Sequence, residues 1–223
     1  MSDSFPTAFS ADEVPDFPFE FERKFFVTEL PKAALEHGSQ QVIIQAYIFA
    51  EAGYAVRVRL SFRDSEIVLP KFSERTDYLG AYERKVLASL LPNAEFSASI
   101  AVKSPAINGE RYELETELDK DVAVQIISRA SRIILKQRYS LWIGQDGWEF
   151  DVFAGENEGL IIAECERLTP VVDLAIPDFC ITEVTNDLRF TNDSLSKEPW
   201  SQWDTHYRAE LAARGPYFLD LKS

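Results

Sequence analysis

The sequence predicts a mostly β fold of the α+β class, either an antiparallel barrel or a sandwich with helices packed outside. Apolar and polar residues alternate with a period of two along many short segments, and Val, Ile, Phe and Tyr are enriched in them. Neither an internal repeat nor a Pro/Gly-rich linker interrupts the chain. We therefore expect a disordered acidic leader over residues 1–16 and a single domain over residues 17–223.

Strand patterns outnumber helical ones. Strand chemistry dominates from residue 17 to about residue 50, and the other candidates are residues 54–62, 96–103, 111–118, 131–142, 148–153, 160–168 and 180–185. Helical spacing occurs over residues 76–91, after Asp119 through Val122 and Ile127, and over residues 200–213. Asp119 is positioned to cap the second of these helices.

Composition excludes several classes of function. Lys and Arg number 23 against 37 Asp and Glu, for a formal charge of −14, so no overall positive field attracts nucleic acid or an anionic membrane. The composition does not exclude a local anion-binding site. The two cysteines and two histidines supply neither a disulfide scaffold nor a zinc cluster. No apolar run is as long as a membrane span and no signal-peptide pattern is present, so we expect a cytoplasmic protein.

The polar faces of the predicted strands carry almost nothing but charge. Alternate side chains of a strand point to opposite faces, so Arg57 and Arg59 share a face, as do Glu164 and Glu166. Such like-charged neighbours repel by up to about 1 kcal/mol. The charged candidates are Glu20, Glu22, Lys24, Arg57, Arg59, Lys103, Arg111, Glu113, Glu115, Lys136, Arg138, Glu149, Asp151, Glu164 and Glu166.

Two interpretations fit these charged faces. They form the solvated outer face of an ordinary sheet, or they line the inside of a closed sheet as a charged tunnel. Acidic and basic candidates are nearly equal in number, so a tunnel would be close to neutral until divalent cations bind its carboxylates. A polyphosphate held by Arg and Lys, with Mg²⁺ bridging it to Glu, would satisfy both signs of charge.

The segment Glu20-Phe21-Glu22-Arg23-Lys24 resembles the Glu-x-Glu-x-Lys signature of the CYTH, or triphosphate tunnel metalloenzyme, family. One such motif is a weak signal, but further matches follow in order from residue 19 to about residue 199. They are Gln45-Ala46-Tyr47, Arg57 and Arg59, Lys103, residues 111–115, 136–139, 148–153 and 159–166, Glu183-Val184-Thr185, Asp187, Arg189 and Asn192.

The resemblance implies a closed antiparallel barrel of about eight strands, open as a tunnel, that hydrolyses or cyclises triphosphates with Mg²⁺ or Mn²⁺. It implies metal ligands at Glu20, Glu22, Glu164 and Glu166. The residues that it implies for phosphate binding are Lys24, Arg57, Arg59, Lys103, Arg111, Lys136, Arg138 and Arg189, with Arg189 and Lys197 closing one mouth. The implied catalytic residues are Lys136 and a second acidic set, which would hold a second metal or orient water and consists of Glu113, Glu115, Glu149 and Asp151.

The sequence departs from the family pattern in three places. Ala46 and Ser104 stand where glycines are usual, and an insertion of about thirty residues, 63–94, separates Arg59 from Lys103. These changes leave the charges intact. An insertion at this position is suited to cover an entrance or to form a partner surface. The 76–91 helix is interpreted as a solvated outer helix, with a regulatory or homodimer surface as the alternative.

The expected function is metal-dependent hydrolysis of a small-molecule triphosphate, inorganic triphosphate first. One alternative is an adenylate cyclase of the same fold, which would need a pocket for the base, and no segment of the sequence indicates one. The other is a non-catalytic module that binds nucleotide or polyphosphate. The acidic set of Glu113, Glu115, Glu149 and Asp151 argues against a non-catalytic binding module, because binding an anion needs few carboxylates.

Several conspicuous residues are interpreted as structural. The four tryptophans, Trp142, Trp148, Trp200 and Trp203, are expected to pack strands and the C-terminal helix. Cys165 lies between two inward-facing glutamates and should be a small buried residue on the opposite, apolar face.

Overall fold

The computed structural model describes residues 19–63, 67–69, 80–107, 110–167 and 169–220. The leader proposed for residues 1–16 lies outside them, as do residues 64–66 and 70–79 of the proposed insertion. The strands are β1 (Phe19–Val27), β2 (Ser39–Glu51), β3 (Tyr54–Phe62), β4 (Phe96–Lys103), β5 (Glu110–Glu117), β6 (Ile133–Ile143), β7 (Asp146–Phe153), β8 (Ile161–Arg167) and β9 (Thr182–Glu183). The α-helices are α1 (Lys32–His37), α2 (Ala81–Leu90), α3 (Lys120–Arg129), α4 (Asn192–Leu195) and α5 (Asp204–Arg214). None of these described helices has the length and apolar character needed to cross a membrane.

Eight strands close into a barrel. Their order around the wall is β5-β4-β3-β2-β6-β7-β8-β1, and every neighbouring pair is antiparallel. The circle closes where the start of β1 pairs with the start of β5, with Glu20 opposite Arg111. The short strand β9 adds to β1 outside this circle. The prediction of a closed antiparallel barrel of about eight strands is thereby confirmed.

The charged faces of the strands point into the barrel. Arg57 is 2% exposed, and Lys136 and Asp151 are fully buried. Ion pairs join side chains from different strands across the interior, for example Arg57 with Glu113 and Arg138 with Glu164. The tunnel interpretation is confirmed and the solvated outer face is wrong, because a residue on an outer wet face would not be buried among charges from other strands.

The outward faces of the barrel are apolar and covered. On one side, Ile44, Val58 and Leu60 pack under Val86 of α2 and Ile127 of α3. On the other side, Phe25, Trp148, Phe150 and Cys165 lie under the segment that contains Val171 and Leu174. Two buried layers therefore hold the wall in place from outside, and the predicted packing of helices on the barrel is confirmed.

A third apolar cluster fills one side of the interior. Phe26, Ile134 and Ile162 share the inward face with Lys24, Lys136 and Glu164, since each lies two residues away from its charged neighbour on the same strand. They are buried against the C-terminal segment, whose contributing residues are Phe190, Leu195, Trp200 and Tyr207. The inward faces are therefore charged over only part of their length, and the C-terminal segment acts as an apolar plug.

The helical predictions are partly correct. Asp119 caps α3 as expected, since its side chain accepts a hydrogen bond from the backbone N–H of Val122 at 3.0 Å. The predicted 200–213 helix is instead a 3-10 turn, Trp200–Gln202, followed by α5. The helix α1 was not predicted, because the strand patterns on both sides of Pro31 merge into one in the sequence. The predicted strand at 180–185 is reduced to the two residues of β9.

We expect the plug to carry a large share of the stability. The indole of Trp200 is buried among Phe26, Phe190 and Tyr207, so Trp200→Ala should lower the free energy of unfolding by about 3–5 kcal/mol in urea denaturation. Trp142 is 76% exposed, so the prediction that it packs against the strands is wrong. It provides the matched control, because Trp142→Ala should change the free energy of unfolding by about 0.5 kcal/mol or less. Equal effects of the two substitutions would contradict the plug.

Candidate functional site

The interior opens to one side as a cavity of about 370 Å³. Its mouth lies between the β2–β3 turn, the end of β4 and the C-terminal segment around α4. The predicted site residues that line it are Glu20, Glu22, Lys24, Arg57, Arg59, Lys103, Arg111, Glu113, Glu115, Arg138, Glu164 and Glu166. Together with Asp193 and Lys197 at the mouth, the lining carries as many acidic as basic side chains.

Four predicted site residues lie outside this cavity. Lys136 and Asp151 are fully buried in the interior, where they pair with each other. Glu149 lines a different opening. Arg189 does not reach the interior cavity: Asp187 and Glu210 bind its guanidinium at 2.6 and 2.9 Å. Of the two residues expected to close a mouth, only Lys197 lines the cavity, where its ammonium donates to the Ala50 carbonyl at 3.2 Å.

A second opening, of about 680 Å³, lies at the other end of β3 and β4. It shares Arg59, Glu115 and Arg138 with the first cavity, so these three side chains stand where the two spaces meet. Its remaining lining is rich in small polar side chains, including Ser61 and Ser99. The interior is thus a tunnel with two openings, and Arg59, Glu115 and Arg138 lie between them.

The centre of the tunnel is rich in positive charge. Arg57 bonds Glu113 and Glu115 through one terminal nitrogen, but its Nε has no partner, and the Nε of Arg59 has none either. Burial lowers the pKa of Arg59, and the neighbouring guanidinium groups of Arg57 and Arg138 lower it further. Unpaired N–H donors in a repulsive cluster of cations favour binding of an anion, which would satisfy both the donors and the charge.

A dense ion-pair network lies beside this centre. The Lys24 ammonium is 2.7 Å from Glu22 and 2.5 Å from Glu164, and Arg111 is 2.9 Å from Glu22 and 3.0 Å from Glu20. Burial alone would lower the pKa of Lys24, but Glu164 and Glu22 raise it, so the ammonium stays charged. Lys24 and Arg111 are therefore charged and held in place before any ligand arrives.

Two groups near the mouth titrate close to neutrality. Burial, with help from Arg57 and Arg111, lowers the pKa of Lys103 to about 7. Burial and the hydrogen bond with Glu113 raise the pKa of Glu20 to about 8. Lys103 contacts Glu113 directly, so these three side chains can redistribute a proton at the tunnel wall.

The carboxylates suit a hard divalent cation in their chemistry. Glu22 and Glu166 lie directly opposite each other on β1 and β8, and both face inward. Loss of solvent at the wall raises the pKa of Glu166, and the nearby carboxylates of Glu149, Glu164 and Glu22 raise it further. Within the described part of the chain, no Lys or Arg pairs with Glu166, and no cluster of three or more His, Cys, Asp or Glu is already arranged around one point. The carboxylate oxygens are suitable ligands for Mg²⁺ or Mn²⁺, but those of Glu22 already form ion pairs with Lys24 and Arg111.

The sequence did not assign a role to several lining residues. Tyr47 belongs to the Gln45-Ala46-Tyr47 motif and lies in the cavity wall with its ring buried. Thr191, Asn192 and Ser194 contribute polar side chains from the segment around α4. The motif containing Tyr47 and the match at Asn192 gave a signal in the sequence, whereas Thr191 and Ser194 gave none, because short polar residues in a loop have no distinctive pattern.

The buried Lys136–Asp151–Arg138 cluster should set the acid stability. Arg138 bonds both Asp151 oxygens at 2.6 and 2.7 Å, and although burial alone would raise the pKa of Asp151, Arg138 and Lys136 hold it below its usual value. A lowered folded-state pKa stabilises the protein above the unfolded-state value near 3.8, and this stabilisation is lost as the pH falls below it. Asp151→Asn should therefore cost about 3–5 kcal/mol at neutral pH and flatten the fall of stability in acid.

Urea unfolding from pH 7 to pH 3 tests this expectation. Asp178→Asn, at an exposed position, is the control and should follow the parent protein at every pH. An Asp151→Asn protein as stable at pH 7 as the control would show that the cluster is not needed to compensate the buried cations.

The chain is similar to several known proteins. No family model matches the chain. A curated relative named inorganic triphosphatase, from Acetivibrio thermocellus, is 29% identical over 186 residues, which cover 82% of this chain and 97% of the relative. A crystal structure described as the inorganic triphosphatase NE1496 is 22% identical with a TM-score of 0.46, covering 79% of this chain and 93% of that one. A Hippeastrum structure described as a putative adenylyl cyclase with a dominant triphosphatase activity is 12% identical with a TM-score of 0.36, covering 68% and 80%. With its motifs in order and their charges inside a closed barrel, the chain resembles the CYTH, or triphosphate tunnel metalloenzyme, family.

Proposed function

We propose that the protein hydrolyses inorganic triphosphate inside the tunnel, with a divalent metal ion. The observation that carries this proposal is the positive centre of Arg57, Arg59 and Arg138 in the cavity wall, in which the Nε atoms of Arg57 and Arg59 have no hydrogen-bond partner among the described residues. Lys24, Lys103 and Arg111 extend the positive charge along the cavity. A linear chain of phosphates is the ligand that can contact several of these cations at once.

The lining of the cavity favours an inorganic substrate over a nucleotide. Among the described lining residues, Tyr47 is the one aromatic side chain, and its ring is buried in the wall. A purine base would need an exposed ring or an apolar slot beside the phosphates, and the residues around the mouth are small, polar or charged apart from the exposed side chain of Leu188. Hydrolysis of inorganic triphosphate therefore fits better than cyclisation of ATP.

The relative named inorganic triphosphatase supports the same reaction. It aligns over nearly its whole length, so the likeness extends through the barrel and is not confined to a single motif. The non-catalytic alternative predicts a tunnel with phosphate-binding cations alone. Here carboxylates match the cations in number throughout the lining, which hydrolysis can use and simple binding does not need.

Metal dependence is part of the proposal. Glu20, Glu22, Glu164 and Glu166 would hold Mg²⁺ or Mn²⁺ through carboxylate oxygens, as the family resemblance implies. A metal ion bound there would neutralise phosphate charge and polarise the phosphoryl group. The chain itself would bind the substrate with Arg57, Arg59 and Arg138 and exclude bulk water with the apolar plug.

Hydrogen bonds fix the side chains of Glu113 and Glu115 at the tunnel wall. Glu113 bonds Lys103 and Arg111, and Glu115 bonds Arg57 and Ser99. These contacts keep the guanidinium planes oriented while the tunnel is empty of substrate. On binding, phosphate oxygens would replace part of the carboxylate contacts, so the cations need no large rearrangement.

A phosphate-release assay tests the proposal. With Mg²⁺ or Mn²⁺ the protein should release orthophosphate from inorganic triphosphate faster than from ATP or thiamine triphosphate, and a parallel assay for cyclic AMP should stay at background. Cyclic AMP as the main product would favour the cyclase. Binding of triphosphate without turnover would favour the non-catalytic module.

Glu22→Gln should lower turnover by about 100-fold or more while the barrel stays folded. The substitution keeps size and a hydrogen-bond acceptor but removes a carboxylate that Lys24 and Arg111 hold in the tunnel. Binding of Mn²⁺, followed by electron paramagnetic resonance, should weaken in parallel. Glu36→Gln, at an exposed position of α1, is the control. Full activity and full Mn²⁺ affinity in purified Glu22→Gln would refute the metal assignment.

A further inference from the structure

One apolar part of the outer wall is left open to solvent by the helices and loops that the structure describes. It lies at the seam where β1 pairs with β5, with Phe19 opposite Tyr112. It continues onto β4, because Leu114 of β5 lies opposite Val102. Phe19, Val102 and Leu114 are 42%, 45% and 48% exposed, so nearly half of each of these side chains is open to solvent.

A groove of about 480 Å³ lies at the same seam. Phe19 and Tyr112 line it from the strands, Ile107 from the β4–β5 loop and Val172 from the loop after β8. Ile107 is 73% exposed. We use the name seam patch for the apolar surface that these residues form with the exposed residues of β4 and β5, namely Phe19, Val102, Ile107, Tyr112, Leu114 and Val172.

The seam patch carries little free charge. Of the charged residues that line the groove, Arg111 pairs with Glu22 and Arg23 pairs with Glu183, which leaves the exposed Glu110. The formal charge of −14 would repel an anionic lipid surface or a nucleic acid. The patch is therefore suited to a partner that offers apolar side chains of its own.

The size of the seam patch matches a protein interface. From their exposed fractions, its six side chains leave roughly 500 Å² open to solvent, a patch size that is often functional on soluble proteins. A stable complex buries about 800 Å² on each partner, with an apolar core inside a polar rim. The seam patch is large enough to form the core of one such interface.

The shape of the seam patch fits a second copy of the chain. A two-fold contact needs a surface that is complementary to itself. Val102 and Leu114 project from the wall beside the groove, since Leu114 lies two residues from Tyr112 on the same face of β5. One patch therefore presents both projecting side chains and the hollow that can receive them.

We propose that the protein forms a two-fold symmetric homodimer through the seam patch, in which Leu114 of each copy is seated in the groove of the other. The inference goes beyond the proposed function, because it concerns the outer wall of the barrel and not the chemistry inside the tunnel.

A second copy at this position would also cover the weakest joint of the barrel. β1 and β5 pair through three residues each, the fewest of any two neighbouring strands in the closed wall. Glu22 and Arg111 line both the groove and the tunnel cavity, so their side chains stand between these two spaces. The dimer contact would thus shield the tunnel from solvent at the seam.

Sedimentation equilibrium of the full chain, over a range of about 1 to 200 μM, tests the dimer. Leu114→Lys should raise the dissociation constant about 100-fold or more, because it places an ammonium group in an apolar contact. Ile107→Lys should act in the same direction, and its exposed position in a loop makes it independent of strand folding. The matched control is Val122→Lys, since Val122 is 47% exposed on α3 and lies outside the patch.

The salt dependence of the association provides a second readout. Two copies of charge −14 repel each other, and salt screens this repulsion without weakening apolar contacts. Raising NaCl from about 0.05 M to about 0.5 M should therefore lower the dissociation constant about 3- to 10-fold. A contact built from ion pairs would weaken instead, which would contradict the apolar interface.

Two further results would overturn the inference. A dimer that Leu114→Lys and Ile107→Lys leave intact forms through another surface. A full chain that stays monomeric has another occupant on the patch or none: binding of neutral lipid vesicles would identify a membrane, binding of the dye 8-anilinonaphthalene-1-sulfonate a free surface, and binding of neither a cover formed by residues 1–18. Triphosphatase activity of the parent protein is measured separately, so the proposed function stands or falls independently of these results.

Discussion

The structure depends on compensation between buried charges of opposite sign. Each like-charged pair on a strand is unfavourable by itself, and an isolated buried ion would cost several kcal/mol. Pairing of neighbouring strands brings acidic residues against basic ones, so that Arg138 meets Asp151 and Lys24 meets Glu164. Closure of the barrel adds the pairs between β1 and β5, in which Arg111 meets Glu20 and Glu22, and places all of these charges in the interior.

Burial of apolar side chains elsewhere in the fold offsets the free-energy cost of burying these charges. Helices α2 and α3 cover one outer face, and the segment around Leu174 covers the other. The C-terminal plug, built on Phe26 and Trp200, fills one side of the interior and leaves the charged remainder as a narrow tunnel. The size of the cavity is thus set by apolar packing, while its chemistry is set by the charges.

Much of this could be predicted from the alternation of residues along the strands. The faces of Arg57, Glu113 and Glu164 follow directly from a period of two, and the family resemblance named the fold and most of the lining. The plug could not be predicted, because Phe26 and Ile162 look like ordinary strand residues until the C-terminal segment meets them. The sequence prediction placed Arg189 at the mouth of the cavity, but its ion pairs with Asp187 and Glu210 hold it outside. The pair with Glu210 could not be predicted, because Glu210 is distant from Arg189 in the sequence.

A crystal structure of the protein with inorganic triphosphate and Mg²⁺ tests the central claim most directly. The account predicts phosphate oxygens inside the barrel within hydrogen-bond distance of Arg57, Arg59 and Arg138, with the carboxylates of the network turned toward the metal ion. An anion bound only on the outer surface, with the interior ion pairs unchanged, would contradict the account.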